Sequence, residues 1–193
     1  MEIINNTGIN SEHIRQALEL DCSVYGAEYH LAYDRCVTYY RKNPYIYSML
    51  LDGGRVVGYL NFSPVTPKAY ERLRGGELDT FISENDIMPL LPGIAYDIYL
   101  SSIVMAPAYR GRGYAEALIA DMLSQWKRLH AEYGVCIERV VADAISPGGR
   151  HLCEKLGMRL IGKTSRDTLT YEFLRKEAPK AHAAPEALSF ILT

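Results

Sequence analysis

Residues 100–129 read LSSIVMAPAYRGRGYAEALIADMLSQWKRL, and they constrain the rest of the chain more than any other stretch. An apolar run breaks at Pro107, crosses a segment with two glycines and two arginines, and continues into a sequence of helical period. Ala115, Leu118, Ile119, Met122, Leu123, Trp126 and Leu129 recur at three- and four-residue steps, the pattern of one helix face laid on a sheet. A strand, a glycine-rich turn and a helix start, in that order, make an anion site. The first amides of a helix lack internal partners, and the helix dipole adds partial positive charge there. Gly111 and Gly113 remove the Cβ that would hold a ligand off the backbone. Arg110 and Arg112 add charge of a geometry suited to phosphate.

Two common phosphate loops are excluded by their residues. G-x-x-x-x-G-K-[ST] is absent, and the dinucleotide pattern G-x-G-x-x-G fails because Glu116 stands where the third glycine belongs. The pattern that fits is R-x-x-G-x-A, from Arg110, Gly113 and Ala115, preceded by Met105-Ala106-Pro107.

Composition sets limits around this centre. A length of 193 residues allows one domain with a full core, expected over 1–174 with a C-terminal tail at 175–193. A formal net charge of −2 argues against a nucleic acid or an anionic membrane as the main partner. No apolar run approaches the roughly 20 residues of a membrane span. The start, MEIINNTGIN, carries no basic or apolar leader region, and the four cysteines show no C-x-x-C spacing. No metal site and reduced thiols in a cytoplasm are therefore expected.

The flanking segments read as a mixed α/β order. Met1 to Asn5 predicts a first strand, Ser11 an N-capped helix, and Glu28 to Lys42 a second helix stopped by Asn43-Pro44. Tyr45–Leu51 and Arg55–Ser63, separated by Asp52-Gly53-Gly54, predict a hairpin ended by Pro64 and Pro67. Lys68 to Arg74 predicts a short helix. Residues 75–93 carry Glu77, Asp79, Glu84 and Asp86 without Lys or Arg. They read either as a solvated loop or as an acidic lid for a cationic substrate. Ile94–Met105 is the central strand and Cys136–Ala142 the next. Pro147–Leu156 is a helix capped by Ser146 and ended by Gly157. Leu160–Thr164 and Leu169–Leu174 form a closing hairpin. In the tail, LSFIL is a segment that could dock.

The loop and this order of elements resemble the GNAT superfamily of N-acetyltransferases. The loop is similar to that family's acyl-CoA pyrophosphate loop, Q/R-x-x-G-x-G/A after a V-x-P-type strand end. The stretch SPGGRHLCEKLGM resembles the family's N-x-x-A-x-x-L-Y-x-x-L-G-F, with Ser146 for the Asn, Gly149 for the Ala, Cys153 for the Tyr and Met158 for the Phe. The resemblance covers residues 45–174. It implies an α/β (mixed α+β) fold with a central, mostly antiparallel mixed sheet flanked by helices and a CoA cleft between two splayed central strands. It implies acetyl-CoA, without a metal, as co-substrate. The backbone of Ile103, Val104 and Met105 would pair with the pantetheine arm, and the Ile103 amide would face the thioester oxygen. Arg110, Gly111, Arg112, Gly113, Tyr114, Ala115 and Glu116 would hold the pyrophosphate, with Ser146 nearby.

For catalysis the resemblance is incomplete. Some members place a Glu base on the central strand, where this chain has Tyr99. Asp97 and Ser101 lie two residues either side on the same strand face, so Asp97 is the candidate base acting through water. Cys153 is either the proton donor to the leaving thiolate or a small buried apolar residue. The expected acceptor is a primary amine of a small molecule or peptide, cationic if the acidic residues attract it. A protein N-terminus, a catalytically weak CoA-binding module and a homodimer stay open.

Overall fold

The computed structural model describes residues 1–25, 31–77, 82–164 and 166–175. Among the described residues there are seven strands and five α-helices. The strands are β1 (Glu2–Asn5), β2 (Tyr47–Asp52), β3 (Arg55–Val65), β4 (Ala95–Met105), β5 (Cys136–Ala144), β6 (Arg159–Lys163) and β7 (Leu169–Leu174). The helices are α1 (Ser11–Tyr25), α2 (Tyr33–Lys42), α3 (Pro67–Arg74), α4 (Tyr114–Tyr133) and α5 (Pro147–Lys155). The strands form one sheet in the order β1-β2-β3-β4-β5-β7-β6. β4 and β5 pair in parallel, whereas β1/β2, β2/β3, β5/β7 and β6/β7 are antiparallel. This is a mixed α/β fold with a mostly antiparallel sheet flanked by helices.

Two compact units divide the chain, one from 1–62 with 102–122, the other from 63–101 with the described residues from 123 onward. In the first unit, Ser48 and Met49 alternate across β2, and Met49 registers with Tyr59 of β3. Successive side chains of a strand point to opposite faces. Asp121 of α4 accepts from Ser48 Oγ at 2.7 Å and from Asn5 Nδ2 at 2.8 Å, so α4 covers one face. Asp21 of α1 accepts from Tyr59 Oη at 2.8 Å, so α1 covers the other. In the second unit, Trp126 of α4 meets Tyr96 edge-on at 5.9 Å between ring centroids. Arg139, which registers with Asp97, stacks on the opposite face over Tyr70 of α3 at 4.0 Å.

Local signals explain most element boundaries. The hairpin turns on two residues, Gly53 (φ 55°) and Gly54 (φ 80°), with Asp52 opposite Arg55. Positive φ at both central positions is what a tight turn of that hand requires. α5 starts with Ser146 Oγ accepting from Gly149 N at 3.1 Å. It ends in a Schellman motif, Gly157 N to Glu154 O at 2.9 Å and Met158 N to Cys153 O at 3.0 Å.

Four boundaries differ from the sequence reading. The cap of α1 is Asn10, not Ser11: Asn10 Oδ1 accepts from His13 N at 3.0 Å. α2 starts at Tyr33 instead of Glu28, which lies outside the described residues. Pro64 sits inside β3, where its carbonyl accepts from Met88 N at 2.9 Å and its missing N–H leaves no donor to satisfy. Pro67 opens α3 in place of ending a strand, with Thr66 Oγ1 accepting from Ala69 N at 3.3 Å. The proposed docking of LSFIL falls outside the described residues.

Candidate functional site

The loop after β4 has the geometry of an anion cradle. Pro107–Tyr109 makes one 3-10 turn, and Gly111 and Gly113 follow at φ 67° and 79°. A Cβ added at either glycine would meet nothing within 4 Å, so both backbones face open space. The α4 ladder begins with Ala117 N donating to Gly113 O at 3.1 Å. Gly113 is thus the N-cap, and the amides of Tyr114, Ala115 and Glu116 precede the helical ladder. Tyr109 Oη donates to Asp52 Oδ2 at 2.6 Å and pins the loop to the β2–β3 turn.

The end of β4 carries a feature that residue types alone do not reveal. The parallel register with β5 runs from Ala95↔Cys136 to Leu100↔Ala142, and β4 continues to Met105. Along this last stretch, Ala106 N donates to Val57 O of β3 at 2.8 Å. The carbonyls of Ile103 and Met105 are taken by side chains: Tyr25 Oη donates to Ile103 O at 3.3 Å and Arg110 Nε to Met105 O at 3.0 Å. Arg110 therefore ties the loop back to its own strand. Gly58 of β3 was not singled out from sequence. A Cβ there would fall against Met105 Sδ, and an isolated glycine inside a strand pattern is the signal for such an approach.

Asp97, Tyr99, Ser146 and Cys153 belong to the other unit. Asp97 is neither exposed nor loosely held. Arg139 Nε reaches its Oδ1 at 2.7 Å and Nη2 its Oδ2 at 2.6 Å. Arg139 Nη1 also donates to Glu71 Oε1 at 2.6 Å. Burial, then the charge of Asp143, raises the Tyr99 hydroxyl. Ser146 uses its hydroxyl as the α5 cap. Cys153 is 4% exposed. Burial, then Asp143 and Glu154, pushes its thiol from the ordinary 9.0 up to about 12. Asp143 was not foreseen: burial raises its carboxyl, and Thr168 Oγ1 donates to its Oδ2 at 2.9 Å.

The acidic segment is partly tied down. Arg72 Nη2 meets Asp86 Oδ2 at 2.9 Å, and Ser83 N and Oγ donate to the same oxygen at 2.7 and 2.8 Å. Asp79 lies outside the described residues. Among the described residues, no group of three His, Cys, Asp or Glu is placed to hold a metal ion. None of their helices is long and apolar enough to cross a membrane.

Comparison with known proteins places this geometry in a class. The sequence profile of the acetyltransferase (GNAT) family matches residues 13–158. The chain belongs to the GNAT acetyltransferase family, and so to the acyltransferases. Three solved structures share the fold at low identity. Ard1 from Thermoplasma volcanium is 13% identical at a TM-score of 0.59, covering 90% of this chain and 96% of that one. The GphF GNAT-like decarboxylase in complex with isobutyryl-CoA is 14% identical at 0.61, covering 90% and 99%. The NatC complex bound to Gag peptide and CoA is 12% identical at 0.58, covering 89% and 96%. No curated protein matches in sequence.

Proposed function

We propose that this chain is an N-acetyltransferase that moves an acetyl or short acyl group from acetyl-CoA to a primary amine of a small molecule or peptide by direct attack. The observation that carries this is the loop. Two left-handed glycines with open space at their Cβ positions, flanked by Arg110 and Arg112, stand at the first turn of α4 in a GNAT chain. These residues fit a diphosphate: the amides of 113–116 point from the positive end of the helix dipole, and Arg112 adds charge. Ile103, Val104 and Met105 would bind the pantetheine arm through their backbone. Tyr25 and Arg110 mark the two carbonyls, Ile103 O and Met105 O, from which the arm's amides would displace them.

Bound acetyl-CoA supplies a thioester to be attacked. The Ile103 amide would donate to the carbonyl oxygen as charge develops on it, and removing such a donor costs on the order of 100- to 1,000-fold in rate. The amine must reach the thioester without its extra proton, because a free lysine-type amine has a pKa of about 10.4.

Thiol release from acetyl-CoA, measured against a panel of small amines and peptides, tests this reading. Release that depends on one class of amine supports it. CoA binding by calorimetry without release for any amine would leave the chain a CoA-binding module.

A further inference from the structure

Resting on that reading, we propose that Tyr99 and Asp143 recognise the acceptor: the Tyr99 phenol oxygen accepts a hydrogen bond from the amine, and the Asp143 carboxylate supplies the charge that favours an ammonium. Tyr99 is half-buried on β4, and the strand runs on from it to Ile103 without a break. The other tyrosines buried in this unit place their hydroxyls on protein acceptors. Tyr70 donates to Glu172 Oε1 at 2.9 Å, Tyr96 to Pro89 O at 2.8 Å and Tyr171 to Glu154 Oε1 at 3.2 Å. Among the described residues, the Tyr99 hydroxyl has no such partner. A buried tyrosine oxygen ordinarily finds one, so a desolvated phenol left without it is placed to meet a ligand.

The sheet register puts charge beside this phenol. Tyr99 registers with Val141 of β5, one step before the parallel ladder ends at Leu100↔Ala142. Asp143 is two residues beyond Val141 and registers with Thr170 of β7. Side chains alternate along each strand, so Tyr99, Asp143 and Thr170 stand on one face, the face on which Arg139 covers Tyr70. Asp97 shares that face but spends both oxygens on Arg139. Asp143 does not. Thr168 Oγ1 fixes its Oδ2 at 2.9 Å and is itself bonded to Thr164 Oγ1 at 2.5 Å. Among the described residues, Asp143 Oδ1 has no partner, and neither has the oxygen of Thr170, which is 1% exposed.

These surroundings select the ligand's chemistry. Burial raises the Asp143 carboxyl, and the Thr168 bond and the Arg166 charge offset that only in part. A carboxylate whose charge is incompletely met favours a cation beside it. Burial, then the Asp143 charge, keeps the Tyr99 phenol protonated. Tyr99 therefore offers a lone pair to an N–H and takes no proton from it. The pair holds a cationic nitrogen and discriminates against neutral or acidic acceptors, which gain nothing from Asp143.

The experiment is steady-state kinetics of wild type, Tyr99→Phe and Asp143→Asn with the amine that gives wild type its fastest thiol release. CoA affinity by calorimetry and urea unfolding are measured on the same proteins. Tyr99→Phe keeps the ring and removes a hydroxyl that bonds nothing in the described protein, so it should unfold as wild type does and bind CoA equally well. Its KM for the amine should rise about tenfold, the value of one hydrogen bond from a charged donor, with kcat within about twofold. Asp143→Asn keeps the shape and removes the charge, and it should raise the same KM at unchanged CoA affinity. Tyr99→Phe decides the matter alone should Asp143→Asn not fold. A Tyr99→Phe protein whose KM stays within about twofold of an active wild type overturns the site. So does one that unfolds more readily, because its hydroxyl then has a partner within the protein. A folded Asp143→Asn protein with unchanged KM overturns the part given to the charge. A wild type that binds CoA but acetylates no amine overturns the transfer reading and the acceptor site with it.

Discussion

Arg139 holds Asp97 at two points, Nε on Oδ1 at 2.7 Å and Nη2 on Oδ2 at 2.6 Å, across neighbouring strands of the parallel ladder. The same guanidinium lies 4.0 Å over the Tyr70 ring and reaches Glu71. A bidentate arginine fork is among the stronger hydrogen-bonded pairings a carboxylate makes. It occupies both Asp97 oxygens and makes the pair a clamp between β4, β5 and α3. Asp97→Asn is expected to lower stability by about 1–3 kcal/mol, because a charge-assisted pair is lost and the exposed Glu71 is left as the carboxylate partner of Arg139. The pH profile of acetylation should not move. Chemical denaturation and kinetics on the same variant check the two halves; a stable variant with a shifted profile would restore Asp97 as base.

The glycine loop gives a sharper test of the CoA site. Gly113 sits at φ 79° with open space where a Cβ would stand. Gly113→Val is expected to fold at a cost of about 1–2 kcal/mol for a side chain held in the left-handed region. It should weaken CoA binding at least tenfold, since the new side chain fills the space a diphosphate would use. Calorimetry that gives wild-type affinity for a folded Gly113→Val protein would remove the loop from the site.

The strand, loop and long helix were legible because each announces itself locally. A proline breaks the run, two glycines permit positive φ, and a periodic apolar face follows. The same holds for Gly53-Gly54, for the Ser146 cap and for Gly157. Asp21 was passed over for the opposite reason. Its partner Tyr59 is 38 residues away, and no periodicity brings the two together. Asp97 and Arg139 are 42 residues apart and meet only because β4 and β5 align in parallel. The cap of α1 was misplaced by one residue because Asn10 and Ser11 are both good capping residues. Only the bond from His13 N to Asn10 Oδ1 decides between them. Pro64 was misread as an end because proline disfavours strands in general, whereas here its carbonyl has a donor of its own.

Asp121 is the polar anchor of α4 in its unit. It takes Asn5 Nδ2 at 2.8 Å and Ser48 Oγ at 2.7 Å, and Ser48 is 0% exposed. Asp121→Ala leaves a fully buried hydroxyl without that partner. The expected loss is about 2–3 kcal/mol, the penalty of a buried group whose charged partner is gone. Ser48→Ala, which removes the stranded group itself, should cost less, and the double variant should fall short of the sum. Thermal or urea unfolding of the three proteins checks the order.

Cys153 separates packing from catalysis. At 4% exposure and pushed up to about 12 by burial, the thiol keeps its proton throughout the neutral range. To protonate a departing thiolate of pKa about 8.5 it would have to give that proton uphill by roughly three pK units, which makes it a poor general acid for a group that can leave as the thiolate. Cys153→Ala should leave kcat within about twofold. Its effect belongs to alkaline stability. The thiol's ordinary value is 9.0 and its folded value about 12, so between them the unfolded chain has released a proton that the native chain still holds. The unfolded state then binds fewer protons, and stability falls as pH rises across that window, by at most about 1.4 kcal/mol per pH unit for one thiol. Below the ordinary value the thiol makes no pH-dependent difference. Cys36, raised to about 11 chiefly by burial, adds a parallel slope that ends sooner. Urea unfolding at pH 8 and pH 10.5 should show a decline in wild type and a shallower one in Cys153→Ala. Equal slopes in the two proteins, or a kcat loss of 100-fold at pH 7.5, would return Cys153 to the role of acid.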